Sequence, residues 1–437
     1  MIAHFSAVGV TMATSHARRS DAASLPKRYI ASWTTAGRLA EERASWRELA
    51  DTAIEPNPLY GPNILVAAER RLRAGRPIPV LVVRDQSRNG ALAALAPLEP
   101  LGLLEGLSGK GLRLFVNPYT SLTHPLVRRE DAPEILKALL CFLAQEGRPS
   151  LLFPYLAEKR GFVSVLNDIA AAEGLELARV DGLRRPAIEP EPGASGDCYA
   201  RTYVRKNRRS NTERRMRRLS DVGTVGFEDV LAHKPGGREA LEAFLRMEGL
   251  GWKGEAATAL LSKEETLNFA YEAFGGADGA PKVRIRSLTL DGRPIAMALD
   301  LESQNVAYAF KAAYDPAFAR HAPGLTLDAH TAACIGEGFE IARLDSLAQT
   351  EIAQEGVWRQ EEPIGRYVLA LSAQAGVAET LAGRLRLASA ARERAKALLR
   401  SGAEIASASA NARRLAVALA LIGVSVPLVS LLTRHLG

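Results

Sequence analysis

The chain has 437 residues, a formal net charge of +7 and a hydrophobic fraction of 47%. This length is too great for one compact core and suits two domains with tails. The cysteines, Cys141, Cys198 and Cys334, are odd in number and far apart, and no CxxC pair is present. These numbers exclude a disulfide framework, argue against a zinc site or any other metal, and indicate a reducing cytoplasm.

The first 190 residues alternate between helical and extended patterns. Two apolar runs, 79–83 and 91–98, flank the turn Asn89-Gly90 and predict an antiparallel hairpin. The other predicted elements are helical stretches at 33–53, 64–74 and 132–146, and strands at 113–116 and 151–155. We expect them to form one lobe, residues 31–190, after a disordered tail at residues 1–30.

The second half follows the segment 181–197, whose three prolines and three glycines predict an exposed boundary. Asp291-Gly292 is the turn of a second predicted hairpin, formed by strands 283–290 and 295–301. Further predicted elements are a long basic helix at 199–220, helices at 238–248, 263–274 and 325–336, and strands at 306–313 and 342–347. A second lobe at 199–370 and a helical linker at 375–410 are expected.

The two hairpins resemble each other. Nineteen residues from Val80 and nineteen from Val283 both read as a strand, an Asx-Gly turn and an Ala-rich strand ending in leucine. Each hairpin also follows a helix-rich block, which indicates duplication of one unit. The predicted fold class is therefore α+β (α/β), with two tandem lobes that each contain a mixed, mostly antiparallel sheet flanked by helices.

The basic surplus is concentrated in the helix predicted at 199–220. Its cations surround most of the helix and no stacking aromatics follow, which argues against nucleic acid as a partner. A solvated helix, contact with an anionic membrane surface and contact with an anionic glycan precursor stay open. The nine basic residues are Arg201, Arg205, Lys206, Arg208, Arg209, Arg214, Arg215, Arg217 and Arg218.

An apolar run lies close to the C-terminus. Residues 415–432 contain no charge and follow Arg413 and Arg414. The length and the basic flank predict a tail anchor at 415–433 that holds the protein at the cytoplasmic face of the inner membrane. A buried C-terminal helix is the alternative.

The order of elements in the second lobe resembles that of an acyl-coenzyme A binding GNAT core, and this resemblance implies an extended ligand with a pyrophosphate. If the strand at 306–313 splays from the strand at 342–347, its backbone can bind a pantetheine arm as an added strand. The following helix would offer free N–H groups and its positive end to a pyrophosphate. Gly324 permits close approach there, and Arg320 and His321 would add positive charge.

Several segments resemble the CelD-like acetyltransferases, which are GNAT proteins linked to cellulose or other exopolysaccharide synthesis. Their relatives include the Fem-type transferases with two tandem GNAT lobes. The resemblance covers roughly residues 33–368 and includes NPLYGPNILVAAERRL from Asn57 and the basic helix at 199–219. Its most specific parts are MEGLGWKG, from Met247, and AFKAAYDPAFARHAPG, from Ala309.

The resemblance implies a set of site residues and acyl-CoA, in particular acetyl-CoA, as co-substrate. The acceptor side would contain Glu248, Trp252, Lys253 and Trp358, the splayed strand would carry Lys311 and Tyr314 near the thioester, and Gly324 and Leu325 would begin the pyrophosphate helix. The family usually has a lysine a few residues before the late tryptophan. The segment TEIAQEGV, before Trp358, has none.

The transfer needs a base, an oxyanion donor and a proton for the leaving thiolate. Glu248 or Asp345 is the candidate base, a backbone N–H near Lys311 the oxyanion donor, and Tyr314 the proton donor. A surface role for Glu248, a solvated Lys311 and core packing for Tyr314, Trp252 and Trp358 are the structural alternatives.

The leading functional hypothesis is a GNAT acyltransferase that acts on an amine or hydroxyl of a cell-envelope or exopolysaccharide precursor. The alternatives are a Fem-type transferase that uses aminoacyl-tRNA and a non-catalytic, membrane-tethered GNAT-fold scaffold. The missing lysine before Trp358 motivates the scaffold.

Overall fold

The first lobe is an α+β unit with its helices interleaved among the strands. The computed structural model describes residues 28–102, 111–191, 196–251, 254, 256–276, 281–335, 341–350, 356–371 and 376–404. The strands of this lobe are β1 (Tyr29–Thr35), β2 (Pro79–Asp85), β3 (Ala91–Pro100), β4 (Leu112–Leu114), β5 (Leu126–Val127), β6 (Ser150–Ala157) and β7 (Leu177–Ile188). Its helices are α1 (Ala36–Leu39), α2 (Arg43–Thr52), α3 (Pro62–Ala67), α4 (Ala132–Gln145) and α5 (Gly161–Ala172).

The second lobe repeats this plan. Its strands are β8 (Val225–Leu231), β9 (Lys282–Leu290), β10 (Arg293–Ser303), β11 (Val306–Tyr314), β12 (Arg343–Asp345) and β13 (Gln360–Ala370). Its helices are α6 (Gly196–Tyr203), α7 (Lys206–Ser220), α8 (Gly237–Leu250), α9 (Glu264–Phe274) and α10 (Pro323–Cys334), and a last helix, α11 (Val377–Glu404), follows. The predicted α+β architecture with two similar lobes is confirmed.

The repeated hairpins agree in backbone detail. Asn89-Gly90 and Asp291-Gly292 all have positive φ, between 50° and 76°. Asp291-Gly292 forms a two-residue turn of the primed type, whereas Asn89-Gly90 ends a five-residue loop between Asp85 and Ala91. In each hairpin the pairing shifts by one residue near the start of the second strand, at Ala93 in β3 and at Ile295 in β10. Both extra residues lie three positions after the turn glycine, which supports duplication of one unit.

The lobes exchange their last strands within one sheet. The strand order is β1-β2-β3-β4-β6-β13-β7-β12-β11-β10-β9-β8, and β5 pairs with β3. Each lobe contributes one parallel pair, β4 with β6 and β11 with β12. Strand β7 of the first lobe pairs with β12 of the second, while β13 of the second lobe pairs with β6 of the first. The sheet is therefore continuous, and each lobe completes the other.

Buried ionic contacts hold this exchange together. Arg343 of β12 binds Asp345 and Glu362, and Arg160, from the first lobe, binds Glu362 of β13 as well. Arg185 of β7 is fully buried and binds Asp345. Burying charges is costly unless each has a partner, so these pairs strongly favour the observed register over any shifted one.

One hydrophobic core extends through both lobes. Buried aromatic side chains from the first lobe, such as Phe153, belong to the same cluster as Phe244 and Phe269 of the second. Helix α9 lies against α3 across the lobe boundary, where Arg70 and Arg71 form ion pairs with Glu272. The two lobes therefore share this core.

Four expectations about the elements require correction. Residues 29–35 form strand β1, so the helical stretch predicted at 33–53 begins later and the tail ends before Tyr29. The segment predicted as an exposed boundary contains most of β7, because pairing with β13 and β12 outweighs the effect of Gly182 and Pro186. The basic helix is interrupted between Tyr203 and Lys206.

The fourth correction concerns the predicted linker at 375–410. Helix α11 packs on β7 and β13 through Ala378, Leu381, Ala382 and Leu385, so its first half belongs to the fold. Within the described part of the chain, no helix is long and apolar enough to cross a membrane. The predicted anchor at 415–433 and the tail at 1–27 lie outside the described residues.

Candidate active site

Strands β11 and β12 diverge after a short parallel contact. They pair at Val306, Ala307 and Tyr308 of β11, and β12 ends at Asp345, opposite Tyr308. From Ala309 to Tyr314, β11 runs beside β10 without a partner from β12. The parallel pairing therefore ends within β11, as the predicted splay requires.

Helix α10 begins next to this divergence. The helix starts at Pro323, and the preceding Ala322 provides no side-chain cap for the first N–H groups. A Cβ placed on Gly324 would meet nothing within 4 Å, so the space in front of the first turn is open. The backbone at Gly324 and Leu325 can consequently face an anion, with the positive end of the helix dipole behind it.

The two basic residues upstream of Gly324 have different roles. Arg320 is exposed and donates from Nε to Nε2 of His321 over 3.0 Å. Burial and the neighbouring charges of Arg320 and Arg218 lower the pKa of His321, so the ring is neutral near pH 7. The expectation that His321 adds positive charge is corrected: Arg320 supplies the charge, and His321 accepts its hydrogen bond.

On the other side of β11, Glu248 and Lys311 form a buried ion pair. Glu248 lies in the last turn of α8 and is 1% exposed. Its Oε1 is 2.6 Å from Nζ of Lys311, and its Oε2 accepts the backbone N–H of Leu260 over 2.9 Å. The surface role considered for Glu248 is therefore wrong, and the structure brings two predicted site residues together.

A β-bulge directs Lys311 toward Glu248. Leu299 of β10 pairs with Lys311, and the next residue, Asp300, pairs with Ala309, so Phe310 is an extra residue in β11. At such a bulge two consecutive side chains share one side of the strand, whereas regular pleating would place them on opposite sides. The bulge thus allows Phe310 and Lys311 to reach the same region.

Tyr119, from the first lobe, completes this group and was not predicted. Its ring stacks on Phe269 with a centroid distance of 5.4 Å and an interplanar angle of 7°, and it lies 5.8 Å from the ring of Phe310. The ammonium of Lys311 is 5.6 Å from the centroid of Tyr119. Burial and the charge of Glu248 raise the pKa of the Tyr119 hydroxyl to about 12.

A signal for Tyr119 was available in the sequence. Asn117-Pro118-Tyr119 repeats the Asn-Pro start of the segment at Asn57, and both asparagines accept the N–H two residues on. These twin Asx turns fix short apolar segments against the second lobe. Because the chain has few aromatic residues, an aromatic residue directly after a repeated turn indicates that Tyr119 has a specific role.

Asp345 is one of the buried charged residues that join the strands of the two lobes. Its oxygens bind Arg185 at 2.6 Å and Arg343 at 2.7 Å, and also accept the N–H of Leu347. Burial alone would raise its pKa, but the charges of Arg185 and Arg343 hold the pKa below the usual value. A carboxylate bound in this way is a poor proton acceptor near neutral pH.

Tyr314 and Trp358 also lie apart from Glu248. Tyr314 is 43% exposed and follows Lys311 by three positions, which places it on the opposite face of β11. The indole N–H of Trp358 donates to Asp328 of α10 over 2.8 Å, and the ring packs in the cluster that contains Tyr199. Trp358 therefore anchors α10 to the start of β13. Trp252 and Lys253 lie outside the described residues.

The corresponding helix start in the first lobe does not suit an anion. Helix α4 occupies the position that α10 has in the second lobe, but Glu130 and Asp131 precede it and Glu134 lies in its first turn. Asp131 accepts the hydroxyl of Tyr29 at 2.7 Å and pairs with Arg28. Carboxylates at this helix start oppose the binding of a phosphate there.

Comparison with known proteins identifies the type of domain that contains this site. Residues 206–352 match the profile of the acetyltransferase (GNAT) domain, a segment that includes α7 to β12. The chain therefore contains a domain of the GNAT type, and an acyl-transferring activity is supported. No curated protein matches the chain in sequence.

Several solved structures have a similar backbone arrangement. A conserved protein of unknown function from Bacteroides thetaiotaomicron has a TM-score of 0.48 and 10% identity, over 76% of this chain and 97% of that one. FemX has a TM-score of 0.48 and 12% identity, over 74% and 95%. A tandem GNAT protein from the clavulanic acid pathway has a TM-score of 0.35 and 13% identity, over 78% and 98%. Because each TM-score is below 0.5, nothing further about this chain follows from them.

Proposed function

We propose that the chain is an acyl-CoA-dependent acyltransferase with one active site, in its second lobe. The observation that carries the proposal is that the GNAT match at 206–352 coincides with the diverging strands β11 and β12 and the open start of α10. The donor would be an acyl-coenzyme A, with acetyl as the expected acyl group.

The residues present suit this co-substrate on its phosphate side. The start of α10 has no side-chain cap, Gly324 leaves open space, and Arg320 adds a positive charge. A pyrophosphate would bind the backbone at Gly324 and Leu325 with Arg320 beside it. The pantetheine arm would extend along β11 from Ala309, where β12 no longer pairs.

On the acceptor side, Glu248 is the group to which we assign the role of base. Transfer forms a bond from the acceptor nitrogen or oxygen to the acyl carbon and breaks the carbon–sulfur bond of the thioester. The acceptor proton passes to Glu248, and the departing thiolate takes up a proton. Lys311 holds Oε1 of Glu248, and the ring of Tyr119 forms a wall of the site, so the acceptor would enter between the lobes.

The acceptor itself is proposed from the resemblance to CelD-like proteins. That resemblance favours an amine or hydroxyl of a cell-envelope or exopolysaccharide precursor. Such a substrate is consistent with a location at the cytoplasmic face of the inner membrane, which the uncharged run 415–432 motivates. The narrower family assignment and the location are parts of the proposal.

Binding of coenzyme A to the full chain tests the donor. Saturating coenzyme A should raise the thermal midpoint, and the rise should grow with the logarithm of the ligand concentration. Gly324→Asp places a carboxylate in front of α10 and should abolish the rise without lowering the midpoint of the free protein. Gly383→Asp, at another helical glycine with open space, is the matched control and should keep the rise.

No rise with the unaltered chain at millimolar coenzyme A would overturn the proposal and favour aminoacyl-tRNA as donor. An equal rise with Gly324→Asp would contradict the assigned phosphate site. An acyl transfer assay with amine-bearing and hydroxyl-bearing acceptors distinguishes an enzyme from a non-catalytic scaffold. Transfer that depends on Glu248 would show that the chain is an enzyme.

A further inference from the structure

Helix α7 carries almost all of the excess charge of the protein. Its fifteen residues, Lys206–Ser220, include seven basic residues and the single acidic residue Glu213, while the whole chain has a net charge of +7. Leu219 is the residue through which α7 enters the core, and it is fully buried. The rest of the helix is exposed or half-buried and forms a convex basic surface beside α10.

The arginines of this surface differ from the many arginines elsewhere in the protein that pair with carboxylates. Arg84, for example, pairs with Glu42, and Arg366 pairs with Asp181. On the helix and just before it, five cations form no ion pair with any carboxylate in the described ranges. They are Arg205, Lys206, Arg215, Arg217 and Arg218. Their charge is therefore available to an external anion.

The extent of the basic surface exceeds what a nucleotide cofactor needs. Fifteen helical residues span about 22 Å, and a pyrophosphate is held by one helix start with one or two cations. Arg205 and Lys206 lie at the far end of α7 from Arg218, whose charge acts on His321 beside α10. A ligand that contacts the whole of this surface would have to be an extended polyanion.

An anionic lipid surface fits this helix better than RNA. Single-stranded RNA is held by stacking on exposed aromatic rings, but α7 contains no aromatic residue. In the adjoining α6, Tyr199 is buried and the hydroxyl of Tyr203 binds Glu191. A projecting helix with cations on several sides can instead lie on a flat charged surface. Val222, directly after it, is 55% exposed.

We propose that α7 docks the protein on a membrane that contains anionic lipids. Each basic residue near such a surface adds attraction, and the attraction decays within a Debye length. The sequence contains a second segment that would favour an anionic membrane. It consists of Arg413 and Arg414, followed by the uncharged run 415–432. The inference goes beyond the acyltransferase reaction and does not depend on it.

The test measures binding of the full-length chain to vesicles. One set of vesicles is phosphatidylcholine alone, and the other contains about one third phosphatidylglycerol. The surface variant replaces Arg205, Lys206, Arg215 and Arg217 by glutamine. The matched control replaces four exposed cations elsewhere by glutamine, at Arg38, Lys159, Lys234 and Lys263.

The unaltered chain and the control should bind anionic vesicles at least tenfold more tightly than neutral ones, with a preference that falls as salt rises. The surface variant should lose most of this preference and keep the same binding to neutral vesicles, which reports any contribution of the apolar run. An unchanged preference in the surface variant would overturn the proposal. Binding of mixed tRNA without a preference for anionic vesicles would also overturn it, in favour of nucleic acid. Thermal protection by coenzyme A should be equal in all three proteins.

Discussion

The carboxylate of Glu248 and the ammonium of Lys311 lie 2.6 Å apart although 63 residues separate them in the chain. One residue ends a helix and the other follows a strand bulge, so the contact depends on the tertiary fold of the second lobe. Glu248 is 1% exposed, and a buried carboxylate is costly unless it is paired. The pair therefore combines a structural constraint with the chemistry proposed for the site.

Glu248→Gln should separate these two contributions. The amide keeps the shape and can still accept the N–H of Leu260, but it cannot take up a proton. Loss of a general base lowers the turnover number by about 10²–10⁴-fold. We expect that loss in kcat with an unchanged rise in thermal midpoint on addition of coenzyme A. Glu239→Gln, an exposed change on the same helix, should leave kcat unaltered, and normal turnover in Glu248→Gln would remove this residue from the chemistry.

Asp345→Asn should affect stability and leave the chemistry unchanged. The substitution leaves the buried guanidinium of Arg185 without its carboxylate partner, and breaking a buried pair in this way costs about 3–5 kcal/mol. We expect a large fall in the free energy of unfolding in urea, and a pH–rate profile that matches the unaltered enzyme once corrected for folded protein.

Glu379→Gln is the control for that experiment. It removes an exposed ion pair with Arg386, and exposed pairs of this kind contribute little to stability. A normal unfolding midpoint for Asp345→Asn, together with loss of the acidic limb of the profile, would restore Asp345 as the base.

The elements that depend on local pattern could be predicted from the sequence. Both hairpins follow from an Asx-Gly turn between apolar runs, and their turns have the positive φ values that this pattern requires. Strand β7 could not be predicted, because its glycine and its proline favour a loop and its stability comes from two neighbours in the sheet. One of those neighbours, β13, begins more than 170 residues later in the chain. Pairing at such separation leaves no local signal.

The candidate site could be predicted only in part, for the same reason. Lys311 and the open position at Gly324 lie in segments with a recognisable order of elements. Tyr119 reaches the site from the other lobe, and only the three-dimensional fold reveals that contact. Asp345 was assigned to catalysis because an acidic residue ends a strand near the site. Its arginine partners come from β7 and β12, and the sequence gives no sign that they meet.

The strand exchange predicts that neither lobe folds alone. Residues 196–404 contain β12 and β13 but lack β7, so both strands would lose a neighbour and expose unpaired backbone. We expect this half to aggregate or to melt without a cooperative transition, and to copurify with a tagged 28–191 half when the two are produced together. The full chain cleaved at a protease site placed in 192–195 is the control and should stay assembled. A cooperative thermal transition of 196–404 by itself would contradict the prediction.

A buried carboxyl in the first lobe predicts how stability changes with pH. Glu55 is 6% exposed, and burial raises its pKa to about 8, although the N–H of Phe162 bonded to Oε2 acts in the opposite direction. His124 lies beside it, with Nδ1 3.4 Å from Oε1 of Glu55, and burial lowers the pKa of His124 to about 3. Both groups are therefore neutral in the folded protein at pH 6 to 7.

The consequence is a loss of stability as the pH rises. The unfolded chain releases the proton of Glu55 near pH 4.3, whereas the folded protein retains it up to about pH 8. Between these values the folded state binds more protons at Glu55, so the contribution of Glu55 to stability falls with rising pH by on the order of 1 kcal/mol per pH unit. Below pH 6.5 His124 acts in the opposite direction, because burial lowers its pKa in the folded state, but it does so equally in both proteins. Glu55→Gln mimics the neutral form and should lack this decline. Urea unfolding from pH 5 to pH 8 should give curves for the two proteins that diverge steadily, while Glu239→Gln should run parallel to the unaltered chain. Parallel curves for Glu55→Gln would show that Glu55 is already ionised in the folded protein.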